Sequence, residues 1–253
     1  MTPSRLDVTL AESGSVSSRH QAQQAIAAGR VRVNGRVAVK PSQVVTADDE
    51  IAVVEEPWVS RAAHKLIGAL DDAGLSVPGR CLDAGASTGG FTQVLLSRGA
   101  TRVYAIDVGH GQMSSVIAAD PRVRLREGVN VKDLRLKDLD GEPVDLIVAD
   151  LSFISLTAVL PALLPLATPT AHALLLVKPQ FEVGRASLPS SGVVRDEAQR
   201  RMAVDNVAAC AAALGWGEWW RGTSRLPGAH GNVEYFLAVS PISTSRANVG
   251  GPS

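Results

Sequence analysis

The stretch "RCLDAGASTGGF", residues 80–91, indicates how the larger part of the chain folds. Its opening predicts a buried strand, because Cys81 and Leu82 are apolar and a loop of small residues follows at once. Glycine, alanine and serine let the backbone approach a ligand closely, and the helix that follows would direct its free N–H groups to the same place. The stretch therefore predicts a strand, a ligand-binding loop and a helix in succession.

Further strands follow this unit along the chain, and helical stretches separate them. Strands that alternate with helices predict an α/β fold with a doubly wound, Rossmann-like parallel sheet and helices on both faces. Near the C-terminus, two β-rich runs joined by a Pro-Gly loop predict a terminal antiparallel hairpin. The runs are "TRVYAIDV", "RVRLREG", "VDLIVAD" and "HALLLVK" for the parallel strands, and "GWGEWWRGTSRLPG" and "NVEYFLAVS" for the hairpin.

The composition argues against export, membranes and metals. The first 15 residues lack the apolar core of a signal peptide, so we expect a cytoplasmic protein. Residues 153–177 carry no formal charge, but Pro161, Pro165 and Pro169 would break a membrane-spanning helix, so we expect no membrane association. The two cysteines lack the spacing of a metal site, and we expect none.

The N-terminal part predicts a small, separate α+β domain. "SSRHQAQQAIAAG" reads as a helix that ends at Gly29, and "RVRVNGRVAVK" reads as a hairpin that turns at Asn34-Gly35. On both sides of the turn, valines alternate with outward-facing residues, and Val37 and Val39 continue that alternation. This part of the chain therefore predicts one helix packed on a short twisted hairpin.

The same part is locally basic, although the whole chain has 25 basic and 25 acidic residues. Not one Asp or Glu occurs between Ser13 and Ala47. A basic surface on a neutral protein predicts contacts with the phosphates of a nucleic acid, and an ordinary solvated face is the alternative. The candidate RNA-binding residues are Arg19, Arg30, Arg32, Arg36 and Lys40.

This N-terminal pattern resembles the S4-like RNA-binding domain, through the Ser-Arg entry, the Ala-rich helix, the Val-x-Val-Asn-Gly turn and the Lys-Pro-Ser that follows. The resemblance implies that the domain binds structured RNA through its second helix and its hairpin. We therefore predict an S4-like domain over residues 1–54, a linker over 55–61, a catalytic domain over 62–240 and a disordered tail over 241–253.

Polar residues stand at the ends of the predicted parallel strands, where the ligand crevice of such a sheet lies. Asp107 could accept hydrogen bonds from both hydroxyls of a ribose, and Asn130 follows where an adenine edge would lie. Asp150 taken alone could equally be a helix N-cap. The loop spacing, Asp-x-Gly-x-x-x-Gly, is not the Gly-x-Gly-x-x-Gly of nicotinamide oxidoreductases, which weighs against that class. The cofactor-binding candidates are Asp83, Gly85, Ala86, Ser87, Gly89, Gly90, Phe91, Asp107, Asn130 and Asp150.

A second resemblance concerns the catalytic residues. Lys65, Asp150, Lys178 and Glu234 occur in the order of the Lys-Asp-Lys-Glu tetrad of FtsJ-like RNA ribose 2′-O-methyltransferases. Their surroundings, "WVSRAAHKL", "VADLSFISL", "LVKPQFEVG" and "GNVEYFL", are similar to the TlyA family, which joins an S4-like domain to an FtsJ-like one. The resemblance covers about residues 4–239 and names these four as the catalytic set.

The resemblance implies transfer of a methyl group from S-adenosylmethionine to cytidine ribose 2′-hydroxyls in ribosomal RNA. It implies 23S rRNA of the large subunit as a target, and for some members also 16S rRNA, with sensitivity to capreomycin-type antibiotics as a consequence. We expect ribosomal RNA or ribosomal subunits as partners, and a monomer. Two rival classes stay open: a non-catalytic RNA-binding or ribosome-assembly module, and a membrane-lytic haemolysin, the name long given to relatives.

Lys178 is the residue whose role the pattern leaves open. It ends the apolar run "ALLLV", and Pro179 closes that strand directly behind it. A lysine in this place either reaches out to solvent, pairs with a carboxylate, or takes part in the chemistry. Transfer of an activated methyl group requires alignment of the ribose oxygen and removal of its proton, and Lys178 is the candidate base.

Overall fold

The computed structural model describes residues 3–16, 18–27, 29–54, 57–184, 188–228 and 231–242. The chain forms two compact units, Met1–Trp58 and Val59–Ser253, and each has its own apolar core. Glu55 and Glu56 of the predicted linker, and residues 243–253 of the predicted tail, lie outside the described residues. Pro241, the first residue of that predicted tail, belongs to the last strand.

The first unit is a small α+β domain. Its helices α1 and α2 cover three short antiparallel strands and a two-stranded pair, and apolar side chains such as Leu6, Leu10 and Ile26 are buried between them. In chain order its elements are β1 (Ser4–Arg5), α1 (Leu6–Glu12), α2 (Arg19–Ala27), β2 (Val31–Val33), β3 (Arg36–Val37), β4 (Val44–Val45) and β5 (Ile51–Val53).

The predicted hairpin of this unit is present, but its second strand is shorter than expected. Asn34 and Gly35 have φ angles of 51° and 76°, the two positive values that a type I′ turn requires. The alternation predicted after the turn was wrong: Ala38 is buried, while Val37 and Val39 are 45% and 75% exposed. The two-residue period persists, but its faces are reversed: Val37 pairs with the exposed Arg32, and directly opposite residues of two strands lie on the same face.

The second unit contains the larger α/β fold. Helices α3, α4 and α8 provide the longer covering segments, while α5, α6 and α7 are single turns. In chain order its elements are α3 (Ala62–Ala73), β6 (Arg80–Ala84), α4 (Gly90–Ser97), β7 (Arg102–Ile106), α5 (Ser115–Ala118), β8 (Val123–Arg126), β9 (Val144–Ala149), α6 (Leu160–Leu163), β10 (Ala167–Val177), α7 (Pro179–Glu182), α8 (Glu197–Ala213), β11 (Trp216–Thr223) and β12 (Tyr235–Pro241).

Within the described residues these strands form one seven-stranded sheet in the order β11-β12-β10-β9-β6-β7-β8. The strands β10, β9, β6, β7 and β8 run parallel, and β12 runs antiparallel to both β10 and β11. This confirms the doubly wound sheet and the terminal hairpin. The chain proceeds outward from β6 in opposite directions, so a crevice opens beyond the carboxyl ends of β6 and β9, where such sheets bind ligands.

The uncharged segment 153–177 is part of this sheet and its cover. Pro161 lies in the first turn of α6, where its missing N–H costs nothing, and Pro169 lies in the irregular start of β10 before regular pairing with β9 resumes at His172. Among the described residues, no helix is long and apolar enough to cross a membrane.

Candidate active site

A cavity of about 270 Å³ opens at the crevice, beyond the carboxyl ends of β6, β9 and β10. Seven of the predicted site residues form part of its wall, together with residues that the sequence did not single out. The wall consists of Ser60, Arg61, Ala62, Gly85, Ala86, Ser87, Thr88, Gly90, Phe91, Asp150, Ser152 and Lys178.

Lys178 is paired, and it lies at the bottom of the crevice and not on the surface. It directly follows β10, and its Nζ lies 2.6 Å from Asp150 Oδ1, at the end of neighbouring β9. The ammonium group of Lys178 also donates a hydrogen bond to Ser152 Oγ at 2.9 Å. Only 11% of the Lys178 side chain and 16% of the Asp150 side chain are exposed, so a lysine reaching out to solvent is excluded. Asp150 is not a helix N-cap, since Ser155 caps the next helical turn.

The other lysine of the predicted tetrad forms a second buried pair. Lys65 Nζ on α3 donates to Glu234 Oε2 at 2.6 Å, and the two side chains are 9% and 3% exposed. Glu234 directly precedes β12, and the pairing of Val177 with Tyr235 places Lys178 and Glu234 at the next positions of neighbouring strands. The strand register therefore brings Asp150, Lys178 and Glu234 to the same end of the sheet. Lys65 joins them from α3 through its contact with Glu234, so the four residues form two lysine–carboxylate pairs.

The loop after β6 is held tightly against the end of β9. Gly85 has a φ of 89°, and a Cβ atom built on it would lie 2.5 Å from the backbone oxygen of Asp150. Gly89, the N-cap residue directly before α4, has a φ of 94°. Residues with side chains rarely adopt such angles, so the two glycines allow the loop to lie directly beside the carboxylate-bearing strand end.

Asp107, at the end of β7, fixes this loop from the other side. Its Oδ2 accepts from Ser87 N at 2.8 Å, and its Oδ1 accepts from Gly109 N at 2.7 Å. Each carboxylate oxygen can accept more than one hydrogen bond, so acceptor capacity for a ribose is left. Asp107 is not in the cavity wall itself, and its observed role is to hold the backbone of Ser87.

Asp83, Asn130 and Gly89 also lie outside the cavity wall, although each was a cofactor-binding candidate. Asp83 is completely buried and accepts from Thr92 Oγ1 at 2.7 Å; burial raises its pKa to about 7 against the opposing effect of that bond. The exposed Asn130 caps a short helical turn, with its Oδ1 accepting from Lys132 N at 3.1 Å. Asp83 therefore links the end of β6 to α4.

The sequence analysis missed four polar residues of the wall, Ser60, Arg61, Thr88 and Ser152. Ser152 accepts the hydrogen bond of Lys178, and Arg61 bonds the backbone oxygen of Pro227. The Oγ atom of Ser60 is buried and finds no hydrogen-bond partner among the described residues. The Ser-Arg pair directly ahead of α3 was the available signal, because a serine at a helix start often binds a free N–H group or a ligand.

In the first unit, the predicted basic residues are not equivalent. Arg19 Nε donates to Asp7 Oδ2 at 2.9 Å, and Asp7 on α1 is completely buried. Hydrogen bonds from Arg5, Gln23 and Arg19 hold the pKa of Asp7 well below its usual range, against the effect of burial. The inference that Arg19 has no acid nearby was therefore wrong, because the partner comes from before the acid-free stretch.

The other basic candidates, Arg30, Arg32, Arg36 and Lys40, differ from Arg19 in their contacts. Arg32 Nη1 donates to the backbone oxygen of Gly35 at 3.1 Å, and Arg36 and Lys40 are exposed. In the part of the chain that the structure describes, no acidic partner is seen for Arg30, Arg36 or Lys40.

Comparison with known proteins agrees with this fold. Residues 58–240 match the FtsJ-like methyltransferase family, and residues 4–51 match the S4 domain. The class is thus an FtsJ-like methyltransferase that carries an S4 domain. The chain belongs to the TlyA family within that class.

Three relatives illustrate the match. The 16S/23S rRNA (cytidine-2′-O)-methyltransferase TlyA of Mycobacterium tuberculosis is 50% identical over 96% of this chain and 91% of its own. Hemolysin A of Brachyspira hyodysenteriae is 39% identical over 91% of this chain and 97% of its own. The solved structure of a presumed hemolysin from Streptococcus thermophilus is 34% identical, covers 95% of this chain and 89% of its own, and has a TM-score of 0.75.

Proposed function

We propose that this protein transfers a methyl group from S-adenosylmethionine to the ribose 2′-hydroxyl of a cytidine in ribosomal RNA. The observation that carries the proposal is the pair of buried lysine–carboxylate contacts, Lys178–Asp150 and Lys65–Glu234, beside a cavity floored by the Gly85 loop. Named rRNA (cytidine-2′-O)-methyltransferases from Mycobacterium tuberculosis and Campylobacter jejuni support the substrate class.

The residues around the cavity suit S-adenosylmethionine. The unpartnered Ser60 Oγ is available to the charged amino-acid end, Phe91 offers an apolar surface, and Asp107 is available to the ribose hydroxyls. The Gly85 loop leaves room for a ligand because it carries only small side chains. S-adenosylmethionine, when bound, supplies an already activated methyl group, so the residues of this chain need only align the acceptor oxygen and remove its proton.

The two pairs then have different tasks. Lys178 Nζ takes the proton of the 2′-hydroxyl, after releasing its own to solvent, while Asp150 and Ser152 hold that nitrogen in place. Lys65, oriented by Glu234, positions the hydroxyl oxygen. Among the described residues, no group of three or more His, Cys, Asp and Glu side chains could hold a metal ion.

Replacing Asp107 by alanine is expected to lower the affinity for S-adenosylmethionine by roughly 1.5–3 kcal/mol, the range for hydrogen bonds to a charged group. Both the ribose acceptor and the bond to Ser87 N would be lost. Titration calorimetry measures the change, with Asp133→Ala, an exposed carboxylate after β8, as the control. An unchanged affinity in Asp107→Ala would mean that the ribose binds elsewhere.

The S4 domain is proposed to bind the ribosomal RNA through its exposed basic residues. Changing Arg36 and Lys40 to glutamine is expected to weaken RNA binding irrespective of sequence, and to reduce the salt slope by between about one and two. Arg19→Gln is the matched control. Because Arg19 bonds the buried Asp7, this change should lower the melting temperature of the protein. Unchanged RNA affinity in the Arg36/Lys40 variant would refute the basic-face assignment.

Incubation with purified ribosomal subunits tests the proposal directly. Methyl-labelled S-adenosylmethionine, followed by digestion to nucleosides, should yield labelled 2′-O-methylcytidine from large or small subunits. Binding of RNA without any transfer would favour the non-catalytic assembly module, and leakage from lipid vesicles would favour the haemolysin. We further propose that the protein acts as a monomer in the cytoplasm and that it affects sensitivity to capreomycin. Experiments in cells, and not this assay, test those two proposals.

A further inference from the structure

The segments that follow β9 and β10 run side by side and touch at successive points. Lys178 contacts Ser152 at the first point. The rings of Phe153 and Phe181 lie 5.2 Å apart at the second. At the third, Glu182 reaches across from the end of α7. The catalytic lysine and its hydrogen-bond partner thus sit at one end of a paired structure, and Glu182 sits at the other.

Glu182 makes two strong contacts across this pairing. Its Oε2 accepts from Ser155 Oγ at 2.5 Å, and its Oε1 accepts from Leu156 N at 2.8 Å. Ser155 in turn caps the following helical turn through Thr157 N. The Glu182 carboxylate is half-buried, and burial raises its pKa against the effect of these bonds. A carboxylate withdrawn from water in this way is costly unless the bonds it makes are retained.

The segment that Glu182 holds is strained. Phe153 has a φ of 63°, a left-handed angle that a bulky side chain rarely adopts, and the residue is 92% exposed. Such angles persist only where neighbouring contacts enforce them. Ser152 directly precedes this residue, so a release of the strain would move the hydroxyl that orients Lys178.

We infer that Glu182 is a positioning residue for methyl transfer: it clamps the segment after Asp150 to the turn after Lys178, and thereby holds Ser152 against the catalytic nitrogen. The inference rests on the function proposed above. Glu182 does not line the cavity, so it acts through Ser152 and not on substrate or cofactor.

Five single variants, one of them a control, and one double variant test this role in single-turnover methyl transfer to ribosomal subunits. Glu182→Ala removes both contacts and should slow the transfer by about ten- to a hundredfold, the cost of a misplaced catalytic group. Glu182→Gln should stay within about threefold of wild type, because its amide can accept from Leu156 N and donate to Ser155 Oγ. Ser155→Ala removes one contact from the opposite side and serves if Glu182→Ala folds poorly. Glu197→Ala, an exposed acid on α8, is the control.

The double variant Glu182→Ala/Ser152→Ala, compared with Ser152→Ala alone, separates positioning from a purely structural role. If Glu182 acts through Ser152, the two losses are not additive, and Glu182→Ala costs less than about threefold once Ser152 is absent. Affinity for S-adenosylmethionine should stay near wild type in the single variants of Glu182 and Ser155, because neither residue lines the cavity. Normal rates in both Glu182→Ala and Ser155→Ala would overturn the inference, as would parallel losses of cofactor affinity and melting temperature. Inactivity of the wild-type protein would instead overturn the proposed function.

Discussion

Lys178→Arg and Lys178→Ala are both expected to slow single-turnover methyl transfer by about two orders of magnitude or more, the scale of general base catalysis. Arginine would keep the charge and the contact with Asp150, but it practically never gives up its proton and so cannot accept one from the ribose. Both variants should still bind S-adenosylmethionine and RNA, because the rest of the cavity wall and the S4 domain are unchanged.

Rapid-quench measurement on an rRNA fragment checks this expectation. Lys137→Ala, which changes an exposed lysine of the same unit, serves as the control. A near-normal rate for Lys178→Arg would reduce Lys178 to a positioning charge and leave Lys65 as the better candidate base.

Gly85→Val is expected to abolish measurable binding of S-adenosylmethionine and to lower the melting temperature. The backbone angle of 89° alone disfavours any side chain by roughly 1–3 kcal/mol. In addition, the new Cβ would lie 2.5 Å from the backbone oxygen of Asp150, so either the loop or the end of β9 must move. The substitution therefore takes up space that the ligand needs and also collides with the strand end that carries Asp150.

A second glycine offers a matched control for this variant. Gly99 has a φ of 104°, and a Cβ atom built on it would meet nothing within 4 Å. Gly99→Val should therefore show the cost of the backbone angle without the collision, and retain cofactor affinity. Calorimetry and thermal melts on both variants separate the two effects. Equal melting temperatures and equal affinities in the two variants would contradict the proposed coupling of the loop to Asp150.

The sheet could be predicted from the sequence because its strands are continuous apolar runs bounded by small or polar residues. The run before Lys178 is an example, since burial on both faces of a parallel sheet leaves little freedom in residue type. The turn at Asn34-Gly35 was predictable for a different reason: few residue pairs adopt two positive φ angles. Both signals are local in the sequence.

The contacts that hold the site together are not local. Glu182 meets Ser155 across 27 positions, Lys65 meets Glu234 across 169, and Arg19 finds Asp7 on another helix. Spacing along one strand or helix carries no information on such partners. The resemblance to a known tetrad named Lys65 and Glu234, but Ser152 and Glu182 had no comparable signal.

Mapping of methylated riboses on ribosomal RNA tests the central claim most directly. The comparison uses cells that carry the gene, cells that lack it, and deleted cells that express either the wild-type protein or Lys178→Ala. We predict at least one cytidine in 23S or 16S rRNA whose ribose is methylated only with the gene and with the wild-type copy. Identical methylation maps in all four strains would contradict the account.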